Sequence, residues 1–159
     1  MNFIVFIFLT LLSFDLVAGN CPQIHGKYQC TRQSLQQNEP IYHLVITQKI
    51  NPSNQIESFI LHKNGRESSF KSNGIPMAIP DTPLTRNAWA VSNCKNHKLL
   101  FNTHIDFINA NNKKAGYRNA TITYFKESDA LVITSISYSI INQKGPVVTP
   151  TKDICQPVL

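Results

Sequence analysis

The chain has 159 residues, 15 Lys or Arg against 9 Asp or Glu, a formal net charge of +6, and 42% hydrophobic residues. That size fits one domain able to bury a sizeable core, and the charge favours contact with anionic groups without specifying a fold. The basic residues are scattered and not interleaved with aromatics, which argues against a nucleic-acid groove.

Residues 1–19, MNFIVFIFLTLLSFDLVAG, carry an apolar run from Phe3 to Leu12 and small residues at Ala18 and Gly19. The run is shorter than the roughly 20 apolar residues a membrane span needs, so it reads as a secretory signal peptide cleaved after Ala18 or Gly19. No later stretch is long and apolar enough to cross a bilayer, so no transmembrane segment is expected after signal removal. Cleavage removes Asp15 and no base, raising the formal charge from +6 to +7. Residues 20–159 are then one domain in an oxidising place, extracellular or periplasmic. The four cysteines, Cys21, Cys30, Cys94 and Cys155, are an even count that implies two disulfides. Paired CxxC or HxxxH spacings are absent, so no metal site is expected.

From residue 23 onward the dominant period is two. IHGKYQC (24–30) alternates Ile24, Tyr28 and Cys30 against His25, Lys27 and Gln29, and IYHLVITQK (41–49) aligns Tyr42, Leu44 and Ile46. NQIESFILH (54–62) runs into Lys63-Asn64-Gly65-Arg66, whose Asn-Gly is a strong hairpin signal, and a short polar strand returns over 66–72. The stretch 73–87 holds Pro76, Pro80 and Pro83, which a central strand would not accept; it is read as a loop. Strands follow at 88–93, 98–108, 116–126 and 130–141, and a last one after 142–145 is expected to stop near Pro150. ALVITSISYSII (130–141) is apolar on both faces, which predicts a strand buried on both sides or simply an excess of β-branched residues. Nine short strands at hairpin spacing predict an all-β, antiparallel up-and-down barrel.

Gly26-Lys27-Tyr28 resembles the Gly-x-Trp that opens lipocalin barrels, and Cys21 shortly before it resembles the first strand of avidin-type barrels. Both belong to the calycin group, whose barrels hold a small ligand inside. Tyr28 stands where a lipocalin has Trp, no Thr-Asp-Tyr motif follows, and the avidin-type biotin contacts are missing. Tyr28-Gln29-Cys30 is similar, over those three residues, to the start of periplasmic C-type lysozyme inhibitors. The resemblances imply a lipocalin-like barrel and two classes of function, a carrier of small molecules or an enzyme inhibitor.

An extended strand over 24–31 places Cys21 and Cys30 nearly 30 Å apart at roughly 3.3 Å per residue, beyond the about 7 Å a disulfide spans. Counting strands alternately up and down brings Cys30, Cys94 and Cys155 to one end. Closing the last strand on the first pairs Cys30 with Cys155 and leaves Cys94 for Cys21, although Cys21 then starts at the wrong end. Cys21–Cys155 with Cys30–Cys94 is the alternative, and the avidin-like and inhibitor-like openings favour the former.

No nucleophile elbow, phosphate-cradling loop or HExxH occurs. His104 and Asp106 share a strand face, but a His–Asp pair needs a nucleophile beside it, and an exposed structural pair is the plainer reading. Asn119-Ala120-Thr121 matches a glycosylation sequon, a triplet expected by chance in a chain so rich in Asn, Ser and Thr. The expected activity is therefore binding, with no catalytic residue and no cofactor. The same strand count groups 50–54, 73–87, 109–115 and 142–145 at one end, opposite 63–66 and 127–129. A small, partly apolar ligand is expected at the barrel mouth there. Ile75, Met77, Ile79 and Leu84 would supply apolar anchors, and Lys113, Lys114 and Lys144 a positive rim for an anionic headgroup or an acidic protein partner. The alternative function is a protein-binding module, such as an inhibitor of a lytic enzyme, presenting the 73–87 loop. A proline-stiffened connector packed over the barrel end is the plain structural reading of that loop.

Overall fold

A computed structural model describes residues 21–33, 41–53, 55–142 and 144–158 of the chain; the signal peptide expected at 1–19 lies outside them. The described residues are all-β. Ten strands form one antiparallel sheet: β1 (Gly26–Gln33), β2 (Tyr42–Ile50), β3 (Ile56–Lys63), β4 (Arg66–Lys71), β5 (Met77–Ala78), β6 (Thr85–Lys95), β7 (Lys98–Ile108), β8 (Lys114–Glu127), β9 (Ala130–Ile141) and β10 (Val147–Pro157). Their order across the sheet is β4-β3-β2-β1-β10-β9-β8-β7-β6-β5, a meander whose first and last long strands pair side by side.

The sheet is curled. Beyond β4, Asn73 bridges to Asn93 of β6, the Gly74 amide donates to the Ser92 carbonyl, and the Ser92 hydroxyl donates to the Lys71 carbonyl. The two edges therefore meet at one point. The concave face there is filled by Ile24, Tyr28, Leu44, Ile46, Phe59, Leu61, Leu99, Phe101, Leu131 and Ile133. Period-two alternation accounts for this choice, since Tyr28 and Cys30, or Tyr42, Leu44 and Ile46, fall on one face of their strands and are buried while their neighbours face water. Rings from opposite walls meet inside: Phe70 of β4 lies edge-on to Phe101 of β7, and Phe101 edge-on to Tyr124 of β8, with centroids 4.6 and 5.3 Å apart.

Both cysteine pairings follow from the topology. Cys30 and Cys155 are direct cross-strand partners in the β1–β10 ladder and are bonded, and Cys21 is bonded to Cys94. The chain before β1 is held for that second bond by Gln48 of β2, whose side chain donates to the Pro22 carbonyl and accepts from the His25 amide.

Four expectations need correction. There are ten strands rather than nine, because the proline-rich stretch contributes β5 and β6 begins at Thr85. The segment 72–84 is not a loop at one end: it starts beside Ser92, pairs with β6 at Met77↔Ala90, and finishes where the Leu84 carbonyl accepts from the Ile108 amide. It crosses the full height of the sheet as a strap, and that extra crossing inverts the up-down count for everything after it. The turns at 109–113 and 142–146 therefore share an end with Asn64-Gly65, while 51–55, 96–97 and 128–129 share the other, where Cys21 and Cys94 also meet. Thirdly, β10 runs through Pro150 to Pro157. This is allowed because β1 ends opposite Lys152, so no ladder partner among the described residues calls for an amide from Pro150 on that side. Lastly, β9 is buried on both faces only at Leu131, Val132 and Ile133; Ile136 is 59% exposed.

Candidate binding cleft on the concave face

The hairpin joining β3 to β4 turns through Asn64 and Gly65 with φ of 49° and 75°, the left-handed pair that a two-residue type I′ turn requires. Such a turn places its flanking residues opposite each other, so Lys63 pairs with Arg66, Leu61 with Ser68 and Phe59 with Phe70. Lys63 and Leu61 share the inward face of β3 with Phe59; Arg66 and Ser68 share that of β4 with Phe70. Across the interior stands Tyr124. Leu44, Leu61, Lys63, Asn64, Arg66, Ser68, Phe70 and Tyr124 line an open cleft of about 540 Å³, above a core in which Phe59 is fully buried.

A narrower hollow of about 110 Å³ continues from it, sharing Leu44, Lys63 and Tyr124 and reaching Arg32, Tyr42 and Asp153. Asp153 is buried because its parity on β10 matches that of Cys155. Its carboxylate accepts from Arg32 Nε at 2.9 Å, Arg32 Nη2 at 3.4 Å and the Tyr42 hydroxyl at 2.6 Å. Burial is the main reason the Tyr42 phenol is held far above its ordinary pKa, and the hydrogen bond to Asp153 adds to it. Tyr124 is pushed up to about 12, again chiefly by burial and then by the charge of Asp153. Both phenols are therefore neutral donors at physiological pH. The Lys63 ammonium sits 3.8 Å above the Tyr42 ring, and burial lowers its pKa; Asp153 acts against that shift and Arg32 reinforces it.

The expected site residues are arranged differently. Ile75, Met77 and Ile79 lie along the strap, and Leu84 lies at its far end; Ile75 and Leu84 are 65% and 68% exposed. Lys113, Lys114 and Lys144 are at the end that carries the cleft mouth. Lys114 is not a free rim charge, since its ammonium contacts Asp106 Oδ1 at 2.6 Å.

The His104–Asp106 pair exists, with Nε2 to Oδ1 at 3.1 Å, but Asp106 is buried rather than exposed. Asn87, in a left-handed conformation at a bulge of β6, donates to its other oxygen at 3.1 Å. The Lys114 contact, more than any other, holds the Asp106 carboxyl below the ordinary carboxylate range. His104 Nδ1 lies 2.7 Å from Asn119 Oδ1, and Trp89 and Tyr117 flank the ring. The partners of His104 are thus an amide and a carboxylate.

Sequence reasoning missed the cleft although two signals for it were present. The two-residue Asn-Gly turn fixes Lys63 opposite Arg66, and Asp153 lies one alternation from Cys155, hence inward. Comparison of the chain with protein-family models, with curated proteins and with solved structures finds no match.

Proposed function

We propose that the chain is a secreted binding protein that holds a small, partly apolar molecule in the concave cleft, without chemical change to it. The observation that carries this reading is the cleft of about 540 Å³ walled by Leu44, Leu61, Phe70 and Tyr124, a size and composition typical of small-molecule sites. Two disulfides suit the oxidising compartment that secretion would provide. A curled sheet whose concave face is packed at one end and open at the other is compatible with a lipocalin-like mode of carrying a ligand at the mouth. A neutral fluorescent probe such as Nile red tests the site. It should bind with enhanced emission, Ser68→Trp should block it by filling the cleft from an exposed position, and Ile75→Ser with Ile79→Ser should leave it unchanged. Binding that survives Ser68→Trp and is lost in the strap variant would move the site to the strap.

The exposed apolar side chains of Ile75, Met77, Ile79 and Leu84 favour a second reading, a protein-binding module that presents the strap to a partner such as a lytic enzyme. In that case the same strap variant removes inhibition of the enzyme while Nile red uptake is untouched.

A further inference from the structure

The charges at the cleft mouth do not balance. Lys63 and Arg66 are direct cross-strand partners on the inward face, and like charges in that position cost stability. Among the described residues the ion pairs are Arg32–Asp153, His62–Glu67, Arg86–Asp81, His104–Asp106 and Lys114–Asp106; none involves Lys63 or Arg66. The acid that faces the same space, Asp153, has both oxygens occupied by Arg32 and Tyr42. Lys63 is exposed, but its ammonium lies over the Tyr42 ring, which places its charge at the cleft. Two neighbouring cations with no counter-ion among the described residues, above apolar walls, are complementary to a ligand with one anionic end and one apolar end.

We propose that the ligand is an acidic amphiphile whose anionic group lies between Lys63 and Arg66 and whose apolar chain runs along Leu44, Leu61, Phe70 and Tyr124. The inference rests on the cleft being the binding site. The groups facing Lys63 are Tyr42, Tyr124, Asp153, Arg32 and Arg66; of these only Asp153 is an anion at neutral pH, and it is already compensated. Because burial lowers the Lys63 pKa, affinity for the anion should fall as pH rises through that lowered value, earlier than an exposed lysine would allow.

Dodecanoate and dodecan-1-ol, which differ only at the polar end, separate this inference from the cleft reading. By titration calorimetry the parent should bind dodecanoate at least about tenfold more tightly than the alcohol, and the preference should weaken with added salt. Lys63→Gln with Arg66→Gln should bring the two to equal affinity while keeping alcohol binding. Equal affinities in the parent, or a preference that survives in the double variant, overturn the anionic ligand and leave the cleft reading standing. If neither compound binds and Nile red is not taken up either, the cleft reading fails and this inference with it. Should the double variant fail to fold, Arg66→Gln alone together with the salt dependence of the parent decides the matter: a salt-independent preference overturns it.

Discussion

At the end of the sheet where Cys21 meets Cys94, walls from β1 to β4 face walls from β6 to β9, and Ile24, Phe59, Leu99 and Leu131 are fully enclosed between them. At the other end, among the described residues, β10 continues from Lys152 back to Val147 with β9 as its ladder partner, and Ile136 and Val148 face water. The closed end is stabilised by apolar burial and the extended end by ladder hydrogen bonds and the polar cluster around Asp106. The comparison teaches where a ligand can go. A packed interior leaves no room, whereas the wall mismatch above it opens a cleft exactly one hairpin deep, between β3–β4 and Tyr124.

Four substitutions probe that contrast, taken in descending size of effect. Gly116 of β8 leaves no space for a side chain, because a Cβ would run into the Ile140 carbonyl oxygen of β9. Gly116→Val should therefore separate β8 from β9 in the extended end and cost more than about 4 kcal/mol, read from urea unfolding. A small cost would mean the extended end contributes little to the folded state. Phe59→Ala in the closed end should cost about 3–5 kcal/mol through the cavity it leaves, with an unchanged dependence on denaturant. Replacing Cys30 and Cys155 together by Ala should lower stability by about 2–4 kcal/mol while the β-type circular dichroism spectrum persists; complete unfolding at 25 °C would show that the core is weaker than its burial implies. Asp106→Asn should cost least, about 1 kcal/mol at neutral pH, because Lys114 is half in water. The sign with pH is fixed by the depressed carboxyl. Its contribution is present above the unfolded pKa of about 4 and lost as pH falls through the lower folded value, so parent and variant should converge in acid. Curves that stay parallel would contradict the ion pair.

The closed end was legible in the sequence because its rules are local. Alternation names Tyr28, Cys30, Tyr42, Leu44 and Ile46 as inward. Cross-strand closure then follows for Cys30 and Cys155. The Asn-Gly hairpin that borders the cleft was legible too, but the extended end was not, because it depends on the path of 72–84. Prolines at 76, 80 and 83 mark that segment as unfit for a central strand, which is correct, since it pairs with β6 only at an edge and over two residues. Its direction, however, is set by where β4 ends relative to Ser92 and Asn93, a tertiary fact with no local signature. That extra crossing reversed the parity of every later turn and left Cys21 apparently at the wrong end. Lys63 and Arg66 read as two scattered surface cations because their significance lies in forming no ion pair among the described residues.

Methyl-resolved NMR of residues 20–159, titrated with dodecanoate, tests the central claim most directly, since the cleft and the strap carry distinct Leu and Ile reporters. The account predicts that the methyls of Leu44 and Leu61 shift with the titrant while those of Ile75, Ile79 and Leu84 stay in place. Shifts confined to Ile75, Ile79 and Leu84 would contradict it and return the binding surface to the strap.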